Sequence, residues 1–219
     1  MSDFDLLLQD PVKYGHYGKS IERIRATLYR KEQTRRYNAG FKPFVICVYG
    51  TTGTGKSRTV CDFYGIENVY IPPSGDGTSG SIWWEKYNGE QIILLDDFYG
   101  GRMKPDYLLR QLDYPRGVPV QTKGGVTYII PQVIIMTSNT HPHEWYKVKE
   151  CVAHPTEPAY FVETRGIPEE VFDALMRRFD FVLNADEDID KLQHLLPDID
   201  PELNWWVGNF DEGYEEIDF

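Results

Sequence analysis

The chain has 219 residues, with 23 Lys and Arg against 34 Asp and Glu, so its formal net charge is −11. This length allows one domain, or one domain with an appendage, and a hydrophobic fraction of 41% is enough to build a core. A charged fraction of 26% argues against disorder along the whole chain. Three cysteines without a Cys-x-x-Cys pair indicate a reducing compartment. The sequence has neither a signal-peptide pattern nor an apolar run of about 20 residues, which predicts a soluble, intracellular protein without a membrane segment.

The negative charge is concentrated in the C-terminal part of the chain. Residues 186–219 contain twelve acidic residues and one basic residue, whereas residues 1–42 contain nine basic and five acidic residues. Residues 43–185 are close to neutral, with 13 basic and 17 acidic residues. The overall charge therefore does not exclude nucleic-acid binding by the middle of the chain. We predict three segments with these bounds: a helical segment, a central domain, and an acidic tail that also carries aromatic residues.

Hydrophobic periodicity predicts alternating helices and strands along the first 185 residues. Ile21, Ile24 and Leu28 recur at spacings of three and four residues and indicate a helix over 3–38. Short apolar runs predict strands buried on both faces, as in a parallel sheet, at 44–49, 92–95 and 133–136.

The second half of the chain adds a predicted hairpin, a helix and a last strand. Two β-rich runs, 118–122 and 126–130, flank a Lys-Gly-Gly turn that places Lys123 at or near the tip of the hairpin, beside Gly124. Patterns at 168–178 and 181–183 predict a helix and a strand. Strands separated by helices indicate an α/β domain.

The strongest motif follows the first predicted strand. It fits the phosphate-loop pattern G-x-x-x-x-G-K-[ST] and consists of Gly50, Thr51, Thr52, Gly53, Thr54, Gly55, Lys56 and Ser57. Its glycines let the backbone curl so that N–H groups point at phosphate oxygens. Lys56 is expected to neutralise the β- and γ-phosphates of a nucleoside triphosphate, and Ser57 to offer its hydroxyl to Mg²⁺.

Polar residues also end the next two buried strands. Asp96 and Asp97 follow the apolar run 92–95. One carboxylate at such a strand end can hold Mg²⁺ and a second can orient the attacking water, and we assign Asp96 to the metal and Asp97 to the water. The apolar run 133–136 is followed by three polar residues, of which Asn139 is the last. Asn139 is a candidate contact for the γ-phosphate and the water. A turn-forming or capping Asn is the alternative.

Taken in order, these motifs resemble a superfamily 3 helicase, and their flanks resemble the replication-associated (Rep) proteins of circoviruses and related viruses with circular single-stranded DNA. The flanking residues are Trp83-Trp84, Asp96-Asp97-Phe98-Tyr99-Gly100, Thr122-Lys123-Gly124-Gly125, Thr137-Ser138-Asn139, Pro142, Trp145-Tyr146 and Ala174-Leu175-Met176-Arg177-Arg178-Phe179. The resemblance covers roughly residues 10–185.

The resemblance implies an AAA+-like P-loop NTPase domain over 43–185, with a central, mostly parallel sheet. It further implies that the segment 1–42 joins subunits into a ring, usually a hexamer, with ATP and Mg²⁺ bound between subunits. An arginine of the neighbouring subunit completes such a site, because a guanidinium stabilises charge developing on the γ-phosphoryl group. Arg178 is the closer match to that arginine and Arg177 the second; the alternative is that both cap a helix C-terminus.

The resemblance also implies a DNA contact. Lys123, with Gly124, is expected to face the central channel and contact the DNA backbone without reading sequence.

Together with the motifs, the resemblance implies an ATP-dependent DNA helicase, the motor of a viral rolling-circle replication initiator, which moves along single-stranded DNA. Two alternatives stay open: a nucleotide-gated DNA-binding platform at the origin that does not unwind, and a P-loop NTPase for genome packaging or RNA. The nuclease domain of full-length Rep proteins does not fit in the 42 residues before the P-loop domain, so no endonuclease activity is expected from this chain. Family resemblance suggests the host nucleus and host replication proteins as location and partners. For the tail, 186–219, a solubilising end and a docking segment are the two hypotheses.

Overall fold

The computed structural model describes residues 11–73, 82–113, 119–152 and 160–203. Its helices are α1 (Pro11–Asn38), α2 (Lys56–Tyr64), α3 (Pro105–Leu112), α4 (Glu169–Met176), α5 (Ala185–Asp188) and α6 (Asp190–Leu195). Its strands are β1 (Phe44–Tyr49), β2 (Val69–Tyr70), β3 (Ile92–Leu95), β4 (Val120–Thr122), β5 (Gly125–Thr127), β6 (Val133–Ser138), β7 (Lys147–Val152), β8 (Tyr160–Arg165) and β9 (Phe181–Asn184).

A parallel sheet of five strands, in the order β2-β3-β6-β1-β9, forms the centre of the described chain. The predicted α/β class and P-loop-type architecture are confirmed. Parallel pairing requires crossover connections, and here helical segments supply them. Because β1, β3 and β6 are neighbours and run in one direction, their carboxyl ends lie at one edge of the sheet. The motif residues that follow these strands therefore meet there.

The central strands of the sheet are buried on both faces. Successive side chains of a strand point to opposite sides. Val45 and Cys47 of β1 pack in one apolar cluster, whereas Ile46 and Val48 pack in the other. The first cluster also contains aromatic residues of the loops, and the second is covered by α2 and α6. Burial raises the pKa of the Cys47 thiol well above its ordinary value, so this cysteine packs as an apolar residue.

Helix α1 is fixed to the domain through a buried arginine near its C-terminal end. Arg36 is 0% exposed, and its Nε donates to Glu32 Oε1 at 2.6 Å. The same guanidinium donates to the carbonyl of Ile130 at 2.7 Å and to Gln91 Oε1 at 3.0 Å. It also donates to the carbonyl of Leu203 at 2.8 Å. One side chain thus joins α1, the loops beside the sheet and the end of the described chain.

The first part of the acidic segment packs on the domain. After β9, helices α5 and α6 bring Leu192 and Leu196 into the second apolar cluster. Tyr64 of α2 donates its hydroxyl hydrogen to the carbonyl of Pro197 at 2.8 Å. The rest of the predicted tail, 204–219, lies outside the described residues, as do residues 1–10 of the predicted first helix. Within the described ranges, no helix is both long and apolar enough to cross a bilayer.

Candidate active site

The phosphate loop curls between the end of β1 and the start of α2. Gly53 and Gly55 adopt φ values of +92° and +89°, a conformation that side chains with a Cβ rarely take. Helix α2 begins at Lys56, directly after Gly55, so the orphan N–H groups of its first turn face the loop. A helix N-terminus behind a curled, glycine-containing loop is suited to bind phosphate.

Lys56 places its ammonium group inside this curl. The residue is 6% exposed, and its Nζ donates to the carbonyls of Gly50 and Thr51, each at 2.8 Å. The Thr54 hydroxyl lies 3.3 Å from the same nitrogen. The positive charge is thereby fixed at the centre of the loop, where the predicted role requires it.

The two predicted metal ligands lie in contact. The Ser57 hydroxyl, in the first turn of α2, donates to Oδ1 of Asp96 at the end of β3. Thr137 of β6 donates its hydroxyl hydrogen to the same carboxylate oxygen at 2.6 Å. Hydroxyl and carboxylate oxygens are the hard ligands that Mg²⁺ prefers, so the residues present fit the ion.

Thr137 also positions Asp97. The Asp97 N–H donates to the Thr137 hydroxyl at 3.0 Å, and the Phe98 N–H donates to the Thr137 carbonyl at 2.7 Å. Asp97 has φ +48°, an uncommon conformation for a residue with a side chain, and it is exposed. Sequence reasoning gave Thr137 no role of its own. The available signal was a hydroxyl residue at the polar end of an otherwise apolar strand.

Asn139 lies beside the phosphate loop, with its Oδ1 3.4 Å from the Thr52 hydroxyl. The end of β6 meets the loop directly, because the Gly50 N–H donates to the Ser138 carbonyl at 3.1 Å. The Ser138 hydroxyl is fixed in turn by the indole N–H of Trp145 at 2.9 Å. The third predicted polar strand end is thus brought to the same place as the loop.

Asp186, which the sequence placed in the acidic tail, contacts the phosphate loop. Its carboxylate accepts hydrogen bonds from the Thr51 N–H at 2.9 Å and the Thr51 hydroxyl at 2.5 Å. These two bonds lower the pKa of Asp186. The approach is close enough that a Cβ on Gly50 would lie 3.2 Å from the Asp186 carboxylate. No sequence signal marked this contact, since Asp186 is 135 residues from Thr51.

The two candidate arginines after α4 differ in their surroundings. The guanidinium of Arg178 donates to the carbonyls of Leu109 and Ala174 at 3.2 Å and 2.5 Å. It also forms an ion pair with Asp113 at 3.1 Å and is 21% exposed. Arg177 occupies the C-cap position of α4, where its backbone N–H donates to the carbonyls of Asp173 and Leu175, and the residue is exposed. Neither arginine contacts the phosphate loop of its own chain in the described contacts, and Arg177 has the more accessible guanidinium.

The predicted hairpin forms from β4 and β5, with Lys123 and Gly124 in the turn between them. Both turn residues are exposed, and Gly124 has φ +99°. The strands are shorter than expected, because pairing begins at Val120 and ends at Thr127. Beyond Thr127 the chain turns inward, and Ile129 and Ile130 join the core. The lysine is therefore presented at the tip of a short, anchored hairpin.

Comparison with known proteins gives a consistent result. Residues 46–140 match a family model described as RNA helicase. The chain is 36% identical to the replication-associated protein of goose circovirus over 144 residues, which are 65% of this chain and 44% of that protein. It is 39% identical to that of porcine circovirus 1 over 146 residues, 62% of this chain and 44% of that protein. The chain thus spans less than half the length of these curated relatives, and its resemblance to circovirus replication-associated proteins is confirmed.

Proposed function

Because the chain carries a helicase-type domain similar to those of circovirus replication-associated proteins, we propose that it is the ATP-driven motor of a viral rolling-circle replication initiator. In this proposal the chain forms a ring, a hexamer, and moves along single-stranded DNA. ATP is hydrolysed at the interfaces between subunits. Similarity to the relatives supports the role in replication, and the arrangement of the site supports the chemistry.

One observation carries the proposal: the polar groups that follow three neighbouring strands lie together at one edge of the sheet. The ammonium group of Lys56, the pair Ser57 and Asp96, and the exposed carboxylate of Asp97 occupy one edge of the sheet. A cation for the phosphates, oxygen ligands for a metal and a carboxylate for water are the parts that phosphoryl transfer needs.

Each residue then has a defined task. Lys56 and the loop N–H groups bind the β- and γ-phosphates and neutralise their charge. Ser57 and Asp96 would hold Mg²⁺, which supplies charge neutralisation on the phosphate oxygens. Asp97 orients the attacking water and accepts its proton. Asn139 fixes the water and the γ-phosphate from the side of β6.

In the described contacts neither Arg177 nor Arg178 reaches the phosphate loop of its own chain, which is consistent with a cation supplied by a neighbouring subunit. Arg177 and Arg178 follow α4, and we propose that one of them reaches the nucleotide of the adjacent subunit. Arg177 is supported by its exposure, and Arg178 by the family motif. A guanidinium there stabilises charge that develops on the γ-phosphoryl group.

Lys123 is proposed to contact the DNA backbone in the channel of the ring. Gly124, which has no side chain, would let the turn of the hairpin approach the DNA strand closely. Such a contact is independent of base sequence.

RNA is the second candidate substrate, and the description of the matching family model favours it. Unwinding assays on matched DNA and RNA duplexes, each with a single-stranded extension, separate the two.

The direct experiment is ATP hydrolysis and duplex unwinding by the purified chain and its Lys56→Ala variant. The wild type is expected to hydrolyse ATP and to unwind DNA in an ATP-dependent manner. The variant should lose both activities by at least about a hundredfold, since the electrostatic stabilisation of the phosphates is lost. Lys42→Ala is the matched control, because Lys42 is half exposed and pairs with Asp180 at 3.3 Å instead of facing the loop. Equal activity of wild type and Lys56→Ala would refute the proposal.

A further inference from the structure

The turn at Glu85 and Lys86 holds a lysine in an unfavourable backbone conformation. Lys86 has φ +60°, and its side chain is exposed. Among the described residues other than glycine, only Asp97 shares a positive φ, and Asp97 lies in the candidate active site. Glycine or asparagine would adopt this conformation at lower cost. A strained residue that persists is a reason to look for a function.

The neighbours of Lys86 force this conformation on it. On one side Trp84 is 1% exposed, and its backbone N–H donates to the Gln121 carbonyl at 2.9 Å. On the other side Tyr87 is buried; its hydroxyl donates to the Glu90 carbonyl and accepts from the Ile130 N–H, each at 2.9 Å. With the backbone fixed before and after it, Lys86 turns outward, and its side chain is directed to solvent.

The same turn is joined to the hairpin that carries Lys123. The Glu85 carboxylate accepts a hydrogen bond from the backbone N–H of Lys123. The Glu85 carbonyl is itself fixed, because it accepts from the Tyr70 hydroxyl at 2.8 Å. Since Trp84 bonds to Gln121 and Glu85 reaches Lys123, the chain segments that hold the two lysines run beside each other. Lys86 and Lys123 therefore stand on neighbouring, mutually anchored turns, and both are exposed.

We propose that Lys86 is a second contact for the phosphate backbone of single-stranded DNA and forms a two-lysine site with Lys123. This inference rests on the proposed function and extends it to a residue outside the hairpin. A lysine ammonium binds a phosphodiester oxygen as a compact point charge and needs no base contact. Glu85 gives the site its geometry, because it ties the turn of one lysine to the backbone of the other.

The strain at Lys86 makes the inference testable in two directions at once. Lys86→Gly removes the positive charge of the side chain, and it also removes the backbone strain, because glycine adopts a positive φ at little cost. The variant is therefore expected to bind DNA more weakly while it folds more stably, a combination that a purely structural lysine would not show. Lys86→Arg keeps the positive charge and is expected to retain DNA binding.

The experiment is a fluorescence-anisotropy titration of a labelled oligothymidine at several salt concentrations, with thermal unfolding measured in parallel. For Lys86→Gly we expect about fivefold weaker binding at 0.1 M salt. The slope of log K against log salt should become shallower by about 0.7 for each phosphate contact that the subunits of the ring lose on the single strand. The unfolding midpoint should rise by about 2 °C. Lys42→Ala serves as a charge-matched control and should bind as the wild type does.

The following outcomes would overturn the inference. If Lys86→Gly binds as the wild type while Lys123→Ala binds more weakly, Lys86 is not part of the site, and the proposed function stands without it. If Lys86→Gly weakens binding but also lowers the unfolding midpoint, or Lys86→Arg is as weak as Lys86→Gly, the lysine acts through the fold. Unchanged binding in both Lys86→Gly and Lys123→Ala would instead contradict the proposed role of the hairpin.

Discussion

At the scale of single residues, Thr137 connects the two carboxylates that we assign to catalysis. Its hydroxyl donates to Asp96 at 2.6 Å and accepts from the Asp97 N–H at 3.0 Å, and the residue is 0% exposed. A valine has nearly the same shape but can neither donate nor accept. The hydroxyl therefore orients the carboxylates in the way that outer-shell partners orient metal ligands.

We predict that Thr137→Val lowers the rate of ATP hydrolysis by about 10- to 100-fold, the usual cost of losing such a partner. Steady-state ATPase assays, with nucleotide affinity measured separately, check this. Thr140→Val, an exposed threonine in the following turn, is the control and should keep the wild-type rate. A Thr137→Val protein with full activity would show that the two carboxylates need no such support.

The arginines after α4 are separated by a mixing experiment. Arg178→Ala removes an ion pair and two hydrogen bonds to carbonyls, so we expect its unfolding midpoint to fall. Arg177→Ala removes an exposed side chain and should leave the midpoint unchanged. Each alanine variant is mixed with Lys56→Ala subunits, and ATP hydrolysis by the mixture is measured. Hydrolysis should return only for the arginine that acts in the neighbour's site, because each subunit then supplies the group that the other lacks. If neither mixture regains activity, the site is not shared between subunits.

At the scale of elements, helix α1 is attached through one buried charge network. Arg36 is 0% exposed, and Glu32, with which it pairs at 2.6 Å, is 2% exposed. Arg36→Met should destabilise the chain by about 3–5 kcal/mol, because it leaves the Glu32 carboxylate buried with only Arg35 beside it. Chemical denaturation measures this difference. Arg30→Met, on the exposed face of the same helix, should change stability by no more than about 0.5 kcal/mol.

The same network predicts a dependence of stability on pH. Burial raises the pKa of Glu32, but hydrogen bonds from Arg35 and Arg36 outweigh burial and lower it below the ordinary value of 4.5. A carboxyl group with a lowered folded-state pKa stabilises the fold fully above its unfolded pKa and loses that contribution as the pH falls through the folded-state pKa. Stability should therefore decline below about pH 4.5, and Glu32→Gln should reduce the decline. An equally steep decline in Glu32→Gln would place its origin in other carboxyl groups.

The elements differ in how far the sequence predicted them. Strand β1 was predicted at its observed bounds, and the predicted strands 92–95 and 133–136 became β3 and β6, because continuous apolar runs next to polar ends are typical of buried parallel strands. Strands β7 and β8 were missed, since their sequences mix charged and apolar residues and lack a continuous apolar run like those of β1, β3 and β6. Helices α5 and α6 were missed because they have only four and six residues, and they depend on contacts with β1 and α2.

The candidate active site likewise has parts that the sequence predicted and parts that it did not. The loop and the two polar strand ends were predictable because the motif spacing and the parallel sheet together fix where they meet. The contacts of Thr137, Asp186 and Glu85 were not, since each depends on tertiary placement of residues 38 to 135 positions apart in the chain. Such pairs leave no periodic signal in a single sequence.

At the scale of the whole molecule, the net charge of −11 does not describe the surface that we propose to contact DNA. The acidic excess begins at Asp186, which binds the phosphate loop, and the following residues pack beneath α2. The two lysines proposed to contact DNA lie instead on turns of the central domain. Local placement of charge, not the total, determines whether an anionic strand can approach.

The central claim is that the chain works as an ATP-driven ring on single-stranded DNA. The most direct measurement is ATP hydrolysis with and without single-stranded DNA, combined with the mass of the same sample by light scattering. The account predicts an assembly of about 150 kDa, six times the chain mass of 25.4 kDa, whose hydrolysis rate rises when single-stranded DNA is added. A 25.4-kDa monomer whose hydrolysis is indifferent to single-stranded DNA would contradict it.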